Sequence, residues 1–176
     1  MVTLNQSLHQ TSHQSILVRK ARRLGFSKIE NLVQLAVQRG CRHYQNVFQE
    51  VSLIDPGQAV LSDEELVVLL LHGNYRYEPT AVRCAAQLVK SSLIDPESIG
   101  FLAIKERCEV PLRHIALNGK RHDSEARDFW QDILASLGNG DEEPLEGILP
   151  HVSRFMMNPG IQRGKIQPAK WLAPIE

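Results

Sequence analysis

A five-residue phrase occurs twice in this chain, Ser52-Leu53-Ile54-Asp55-Pro56 and Ser92-Leu93-Ile94-Asp95-Pro96, and it constrains the fold more than any other feature. Its chemistry is that of a joint between helices. Leucine closes one helix, the aspartate carboxylate accepts from orphan amides of the next, and proline takes the first helical position, where its missing N–H costs nothing. A degraded third copy follows, with Ser136-Leu137 leading through a longer loop to Glu143-Pro144. Leu53, Leu93 and Leu137 are 40 and then 44 residues apart. That spacing suits helical hairpins stacked as in HEAT and armadillo arrays.

A second echo runs alongside. Leu71-x-Gly73 and Leu117-x-Gly119 lie 46 residues apart, each followed by a short polar loop and a helix. Val110-Pro111 marks the place where one unit carries an insertion. The alternative is an irregular helical bundle in which Asp-Pro recurs because it starts helices well.

Local signals fill in the helices. Ser15–Leu24 reads as a short helix with Leu17, Ala21 and Leu24 on one face and four bases on the other. Ser27 and Glu30 have the spacing of a capping box, followed by Ile29, Leu32, Val33 and Ala36 at helical period. Gly40 is expected to break this helix before a second apolar stretch containing Tyr44, Val47, Phe48 and Val51. The clearest helix is Ser62–His72, with a capping box at Ser62 and Glu65 and acids in its first turn. Leu66–Leu71 is apolar all round, which predicts a central position. Pro79 opens a helix whose inward face is Val82, Ala85, Ala86 and Val89. Glu97–Arg107 follows with Ile99, Leu102 and Ala103 inside. Val110–Leu117 is read as a short helix stopped by Asn118-Gly119. Asp123 or Ser124 caps the next, which runs to Leu137 with Phe129, Ile133 and Leu134 inward. Pro144 starts a last helix that Pro150 interrupts. No strand is expected, and the Pro/Gly-rich stretch after Asn158 reads as irregular.

The fold expected is therefore all-α, about seven helices stacked as hairpins in a HEAT-like repeat or an irregular bundle, with flexible basic termini. Residues 1–26 form a basic flexible arm, 27–157 the helical domain and 158–176 an irregular tail. Leu66, Leu69, Leu70, Leu102, Ile115, Phe129 and Leu134 are the expected core. At 176 residues the chain suffices for one domain with a real core.

Twenty bases balance twenty acids, but unevenly. Five bases and no acid precede Glu30, while Glu30–Glu146 holds eleven bases against nineteen acids. Four bases and one acid follow. An acidic body thus carries two basic ends. Arg19, Lys20, Arg22 and Arg23 suit phosphate backbones, an anionic membrane, or the protein's own acidic body. Met156-Met157 and Trp171 either strap the core or await a partner. Three widely spaced cysteines, Cys41, Cys84 and Cys108, read as free buried thiols in a reducing compartment. No apolar run reaches the roughly 18–20 residues that span a bilayer. The acid-free N-terminal stretch also has the composition of an organelle transit peptide. The arm is the preferred reading, with a cytoplasmic location.

Candidate chemistry is sparse. Cys41-Arg42-His43 lacks a second ligand pair at zinc spacing, and His114 and His122 are not one helical turn apart. No glycine-rich loop follows a strand, and no signature links a cysteine to a base. Neither catalytic residues nor a metal or cofactor are expected, and the chain reads as a non-enzyme. Leu102-Ala103, Val110-Pro111, Ile115 and Asn118-Gly119-Lys120-Arg121 resemble the helix-turn-helix of phage-repressor-like DNA-binding domains. Cys108-Glu109 stands where that pattern has its turn glycine. The resemblance implies a recognition helix ending in basic residues; the competing reading is a repeat hairpin with a glycine C-cap. The function expected is an interaction module, an adaptor or scaffold for another protein or for a second copy of itself. A small DNA- or RNA-binding regulator is the alternative, with contacts at Arg19, Lys20, Arg22, Arg23, Arg113, Lys120 and Arg121.

Overall fold

The computed structural model describes residues 15–44, 61–140, 149–158 and 160–175. Among them the chain is mostly helical, with seven α-helices. These are α1 (Ile16–Arg23), α2 (Ile29–Gln38), α3 (Asp63–Leu70), α4 (Pro79–Leu88), α5 (Pro96–Lys105), α6 (Glu109–His122) and α7 (Arg127–Ser136). The first copy of the repeated phrase, the apolar stretch from Val47 to Val51 and the helix expected at Pro144 lie outside the described residues.

Helix α3 is central. Leu66 to Leu70 are all buried, and the helix packs against α1, α2, α4 and α5. A helix apolar on every side has no other stable place. Its start is the expected capping box: Glu65 N donates to Ser62 Oγ at 3.1 Å and Ser62 N to Glu65 Oε2 at 3.0 Å. Helix α4 contributes Val82, Ala85, Ala86 and Val89, all buried. In the second copy of the phrase, Asp95 Oδ2 accepts from Ser98 N at 2.8 Å and Pro96 opens α5. Leu93, however, does not close α4. It lies in the turn beyond it, 73% exposed, while Ile94 is buried.

Three helices end in one device. After α1, α2 and α5 a residue with positive φ (Gly25, Gly40 and Arg107) turns the chain. The next residue returns its amide to a carbonyl five positions back: Phe26 to Ala21 at 2.9 Å, Cys41 to Ala36 at 3.0 Å and Cys108 to Ala103 at 2.7 Å. Each of those next residues is buried, which supplies the apolar contact of a Schellman cap. Gly40 therefore breaks the helix as expected. It is needed twice over, because at φ +110° a Cβ would also stand 2.7 Å from Ile175 N.

Several local expectations are corrected. The cap of α2 falls one residue later than the Ser27–Glu30 box, with Lys28 N donating to Asn31 Oδ1 at 3.1 Å, while Glu30 pairs with Arg76 at 3.0 Å. Asn118-Gly119 does not stop α6. The helix runs on to His122, since Asn118 Nδ2 bonds back to His114 O at 2.9 Å and Gly119 lies under the Trp130 indole. The Leu71/Leu117 echo is consequently not a structural one, because Leu71 caps α3 whereas Leu117 lies inside α6. Asp123 does not cap α7 with its side chain. It accepts from Trp130 Nε1 at 2.9 Å and pairs with Lys90 at 2.8 Å, tying the end of α4 to the α6–α7 corner. Trp130 is fully buried, whereas Phe129, Leu134 and Leu102 are only partly so.

Helix α7 packs on α5 and α6 through two glycines. A Cβ at Gly100 would stand 1.8 Å from Ser136 Oγ, and one at Gly119 would stand 2.3 Å from the Trp130 ring. Both helices present bare backbone where α7 approaches.

The tail is not wholly irregular, which corrects the all-helical expectation. Met156–Met157 (β1) pairs antiparallel with Lys170–Trp171 (β4), and Ile161–Gln162 (β2) with Lys165–Ile166 (β3). The two ladders share one register, and Gln167 N donates to Gly160 O at 3.0 Å, so residues 156–158 and 160–171 follow one hairpin arm interrupted at Pro168, which has no amide to donate. Its tip is a two-residue turn, Arg163-Gly164, with φ +50° and +75°, as a type I′ turn requires. Arg-Gly lacks the Asn or Asp that usually announces such a turn, and two-residue strands leave no alternation to read. Trp171 roots the arm. It is buried, donates its Nε1 to Ala86 O at 2.9 Å and stacks 4.9 Å from Trp130 and 5.5 Å from Phe155. Beyond it, Gln87 Nε2 reaches Ala173 O at 2.8 Å and Ile175 N reaches Gly40 O at 3.0 Å. Of the two readings of this region, strapping is what Trp171 does.

Candidate functional site

The bases of the N-terminal segment sit on α1, whose inner face is part of the core through Leu17, Val18 and Ala21. Residues 15–26, placed in the flexible arm by composition, are thus anchored, and the anchor is polar as well as apolar. Ser15 Oγ accepts from Val18 N at 2.9 Å and donates to the buried Glu106 carboxylate, whose other oxygen faces Leu17 N at 3.4 Å. His72 Nε2 stands 3.6 Å from the same carboxylate. Lys20 is bound to both oxygens of Glu65, at 2.7 and 2.8 Å. Helix α1 therefore docks on the acidic body while Arg19, Arg22 and Arg23 remain exposed. Ile16, Arg19, Lys20, Arg23 and Leu24 line a shallow depression of about 310 Å³ on its outer side.

The bases expected on the recognition helix are placed differently. Arg113 is buried and donates to Gly138 O at 2.9 Å and Leu137 O at 3.0 Å, satisfying the carbonyl end of α7. Lys120 is half-buried and Arg121 exposed. Helices α5 and α6 are joined by a tight three-residue turn in which Arg107 takes the left-handed conformation that a glycine usually fills. No residue of α6 from Glu109 to Lys120 is exposed.

Two features had no signal in the sequence. The outer face of α5 exposes Phe101 (68%) and Ile104 (47%), with Leu93 beside its start. Ile99 and Ala103 are buried and Leu102 partly so, as expected, but Ile99 to Ile104 is almost continuously apolar, so the sequence does not announce that the opposite side is left open. Next to Leu93 lies an open cleft of about 900 Å³, with Arg39, Asp63, Lys90, Ser91 and Ile175 among its lining. Three of its charged groups are paired: Arg39 holds Asp63 at 2.8 Å, with Ser91 Oγ donating to the same carboxylate at 2.7 Å, and Lys90 is held by Asp123 outside the cleft.

The thiols are free and buried. A hydrogen bond with Cys41 and then burial push the Cys84 thiol up, and burial together with the Glu106 and Glu109 carboxylates pushes Cys108 up to about 12. Such thiols stay protonated and make poor nucleophiles. Among the described residues no three His, Cys, Asp or Glu side chains are placed to hold a metal ion. No helix among them is long and apolar enough to cross a membrane. Comparison with protein-family models, with curated proteins and with solved structures finds no match to this chain.

Proposed function

We propose that the chain is a non-enzymatic interaction module, an adaptor or scaffold whose helical body presents a surface to another protein. The observation that carries this reading is the outer face of α5, where Phe101 and Ile104 are exposed, with the exposed Leu93 in the preceding turn lining an open cleft. Large apolar side chains clustered on an outer face favour a partner that covers them. A stacked-hairpin architecture is the fold proposed with it. It is supported by neighbouring packing (α2 on α3, α3 on α4, α5 on α6, α6 on α7) combined with packing of α2 on α4, α3 on α5 and α5 on α7 across one intervening helix. A cytoplasmic location is supported by the three free thiols. The test is affinity capture from native lysate, with and without nuclease, for the parent and a Phe101→Gln/Ile104→Gln variant. Nuclease-insensitive capture that the variant abolishes is the expected result. Capture abolished by nuclease, or unchanged in the variant, contradicts it.

Nucleic-acid binding is the second reading, favoured by one observation: Arg19, Arg22 and Arg23 lie exposed along α1. Titration with random duplex and single-stranded nucleic acid at two salt concentrations tests it. Changing Arg19, Lys20, Arg22 and Arg23 to Gln should lower the slope of log affinity against log salt by about 0.7–0.9 for each phosphate that is no longer neutralised. Equal, negligible binding by both proteins removes this reading.

A further inference from the structure

We infer that the hairpin arm of one copy docks on the outer face of α5 of a second copy, so that the chain assembles with itself through two different surfaces. This rests on the interaction reading of the α5 face and names its partner.

Among the described residues the arm is packed at its root, where Trp171 is buried and Met156 half-buried. Further out, Ile161 and Ile166 are direct cross-strand partners and are 71% and 81% exposed. A two-stranded ribbon with open edges is marginal alone in water. An opposed pair of β-branched side chains is the unit that stabilises such a ribbon once something covers it. The arm is also of one sign. No acid occurs between Arg154 and Ile175, and Arg163, Lys165 and Lys170 are exposed, the last lying 3.6 Å from Glu125.

The receiving face has the complementary character. Phe101 and Ile104 supply the apolar surface, and Glu64, Asp95 and Glu97 gather at its N-terminal end, where Asp95 N donates to Glu64 at 3.3 Å. Ser98 holds the Asp95 carboxyl below its usual range, so it stays ionised. Lys105 and Arg107 stand at the opposite end, giving the face a polarity that fixes how a basic ribbon lies on it. The isoleucine pair covers the apolar strip while Arg163, at the tip of the turn, meets the acidic end; Lys165, paired with Gln162 on the other face of the ribbon, adds to the arm's positive charge without touching it. Because the two surfaces differ, the contact is head-to-tail unless two chains exchange arms about a two-fold axis.

Sedimentation equilibrium of the full chain, from about 1 μM to about 1 mM, spans the affinities of small interfaces. The parent's average mass should rise with concentration, and less so at high salt. Ile161→Thr/Ile166→Thr and Phe101→Gln/Ile104→Gln should each stay monomeric, with an unchanged circular dichroism spectrum. Their equimolar mixture should form a dimer and stop there, since one intact arm and one intact face remain between them. Arg163→Glu/Lys165→Glu replaces the threonine variant if that one loses its fold. A parent monomeric throughout, association that either variant leaves intact, or a mixture that stays monomeric overturns self-docking. A monomeric parent still leaves the α5 face free to capture another protein, so the two readings fail separately.

Discussion

Gly119 shows how one residue divides sequence from structure. Beside Asn118 it reads as a helix stop, yet it lies inside α6 because the Trp130 ring needs the room that a Cβ would take. Nothing local distinguishes a glycine that ends a helix from one that admits a neighbour, since the neighbour is eleven residues away. The two roles make opposite predictions. As an exposed interior position, Gly119→Ala would stabilise by about 1 kcal/mol. Against an immovable indole it should instead destabilise by about 1–3 kcal/mol, read as the shift in urea denaturation. Trp130 escapes a sequence reading for a related cause: Phe129, Trp130, Ile133 and Leu134 are all apolar, and choosing among them needs the orientation of α7. Cys108 gives a pH dependence. Its folded pKa is raised to about 12, so above about 8.5 the unfolded thiol ionises while the folded one keeps its proton. The folded state then binds more protons, and stability falls as pH rises from about 8.5 towards 12, by at most about 1.4 kcal/mol per pH unit for this group. Cys108→Ala should flatten that alkaline slope by nearly one proton, whatever it does to stability at neutral pH. An unchanged slope would mean that the thiol is solvated.

At the scale of elements, the helix starts were legible because they are local chemistry. Ser62 with Glu65 and Asp95 before Pro96 satisfy orphan amides within one turn, and Pro79 opens α4 where its missing N–H costs nothing. The central place of α3 was legible too, from its unbroken apolar run. Leu69→Ala should therefore cost about 2–5 kcal/mol in chemical denaturation. A loss under about half a kcal/mol, the range of exposed positions, would show α3 to be peripheral. The hairpin arm was not legible. Its strands are two residues long, Arg163 takes a positive φ without being Asn, Asp or Gly, and its anchor depends on Trp130, Phe155 and Ala86. Pairing over such distances leaves no periodic trace in the chain.

For the whole molecule, charge asymmetry left phosphates, an anionic membrane and the acidic body as destinations for the basic segment, and Lys20 on Glu65 is a meeting with the last of these. It did not foretell which bases would be consumed: Arg113 caps α7, while Arg19, Arg22 and Arg23 stay exposed. The inner face of α5 was legible, since Ile99 and Ala103 are buried as expected, but nothing in the sequence says why the opposite side should carry Phe101 and Ile104 in the open. The central claim is that the outer face of α5 is left for a partner and does not belong to the core. Urea denaturation of Phe101→Gln/Ile104→Gln at high dilution tests it most directly. If the face is open, stability stays within about 0.5 kcal/mol of the parent; a loss of about 1.5–3 kcal/mol for each side chain, the worth of a buried one, contradicts the account.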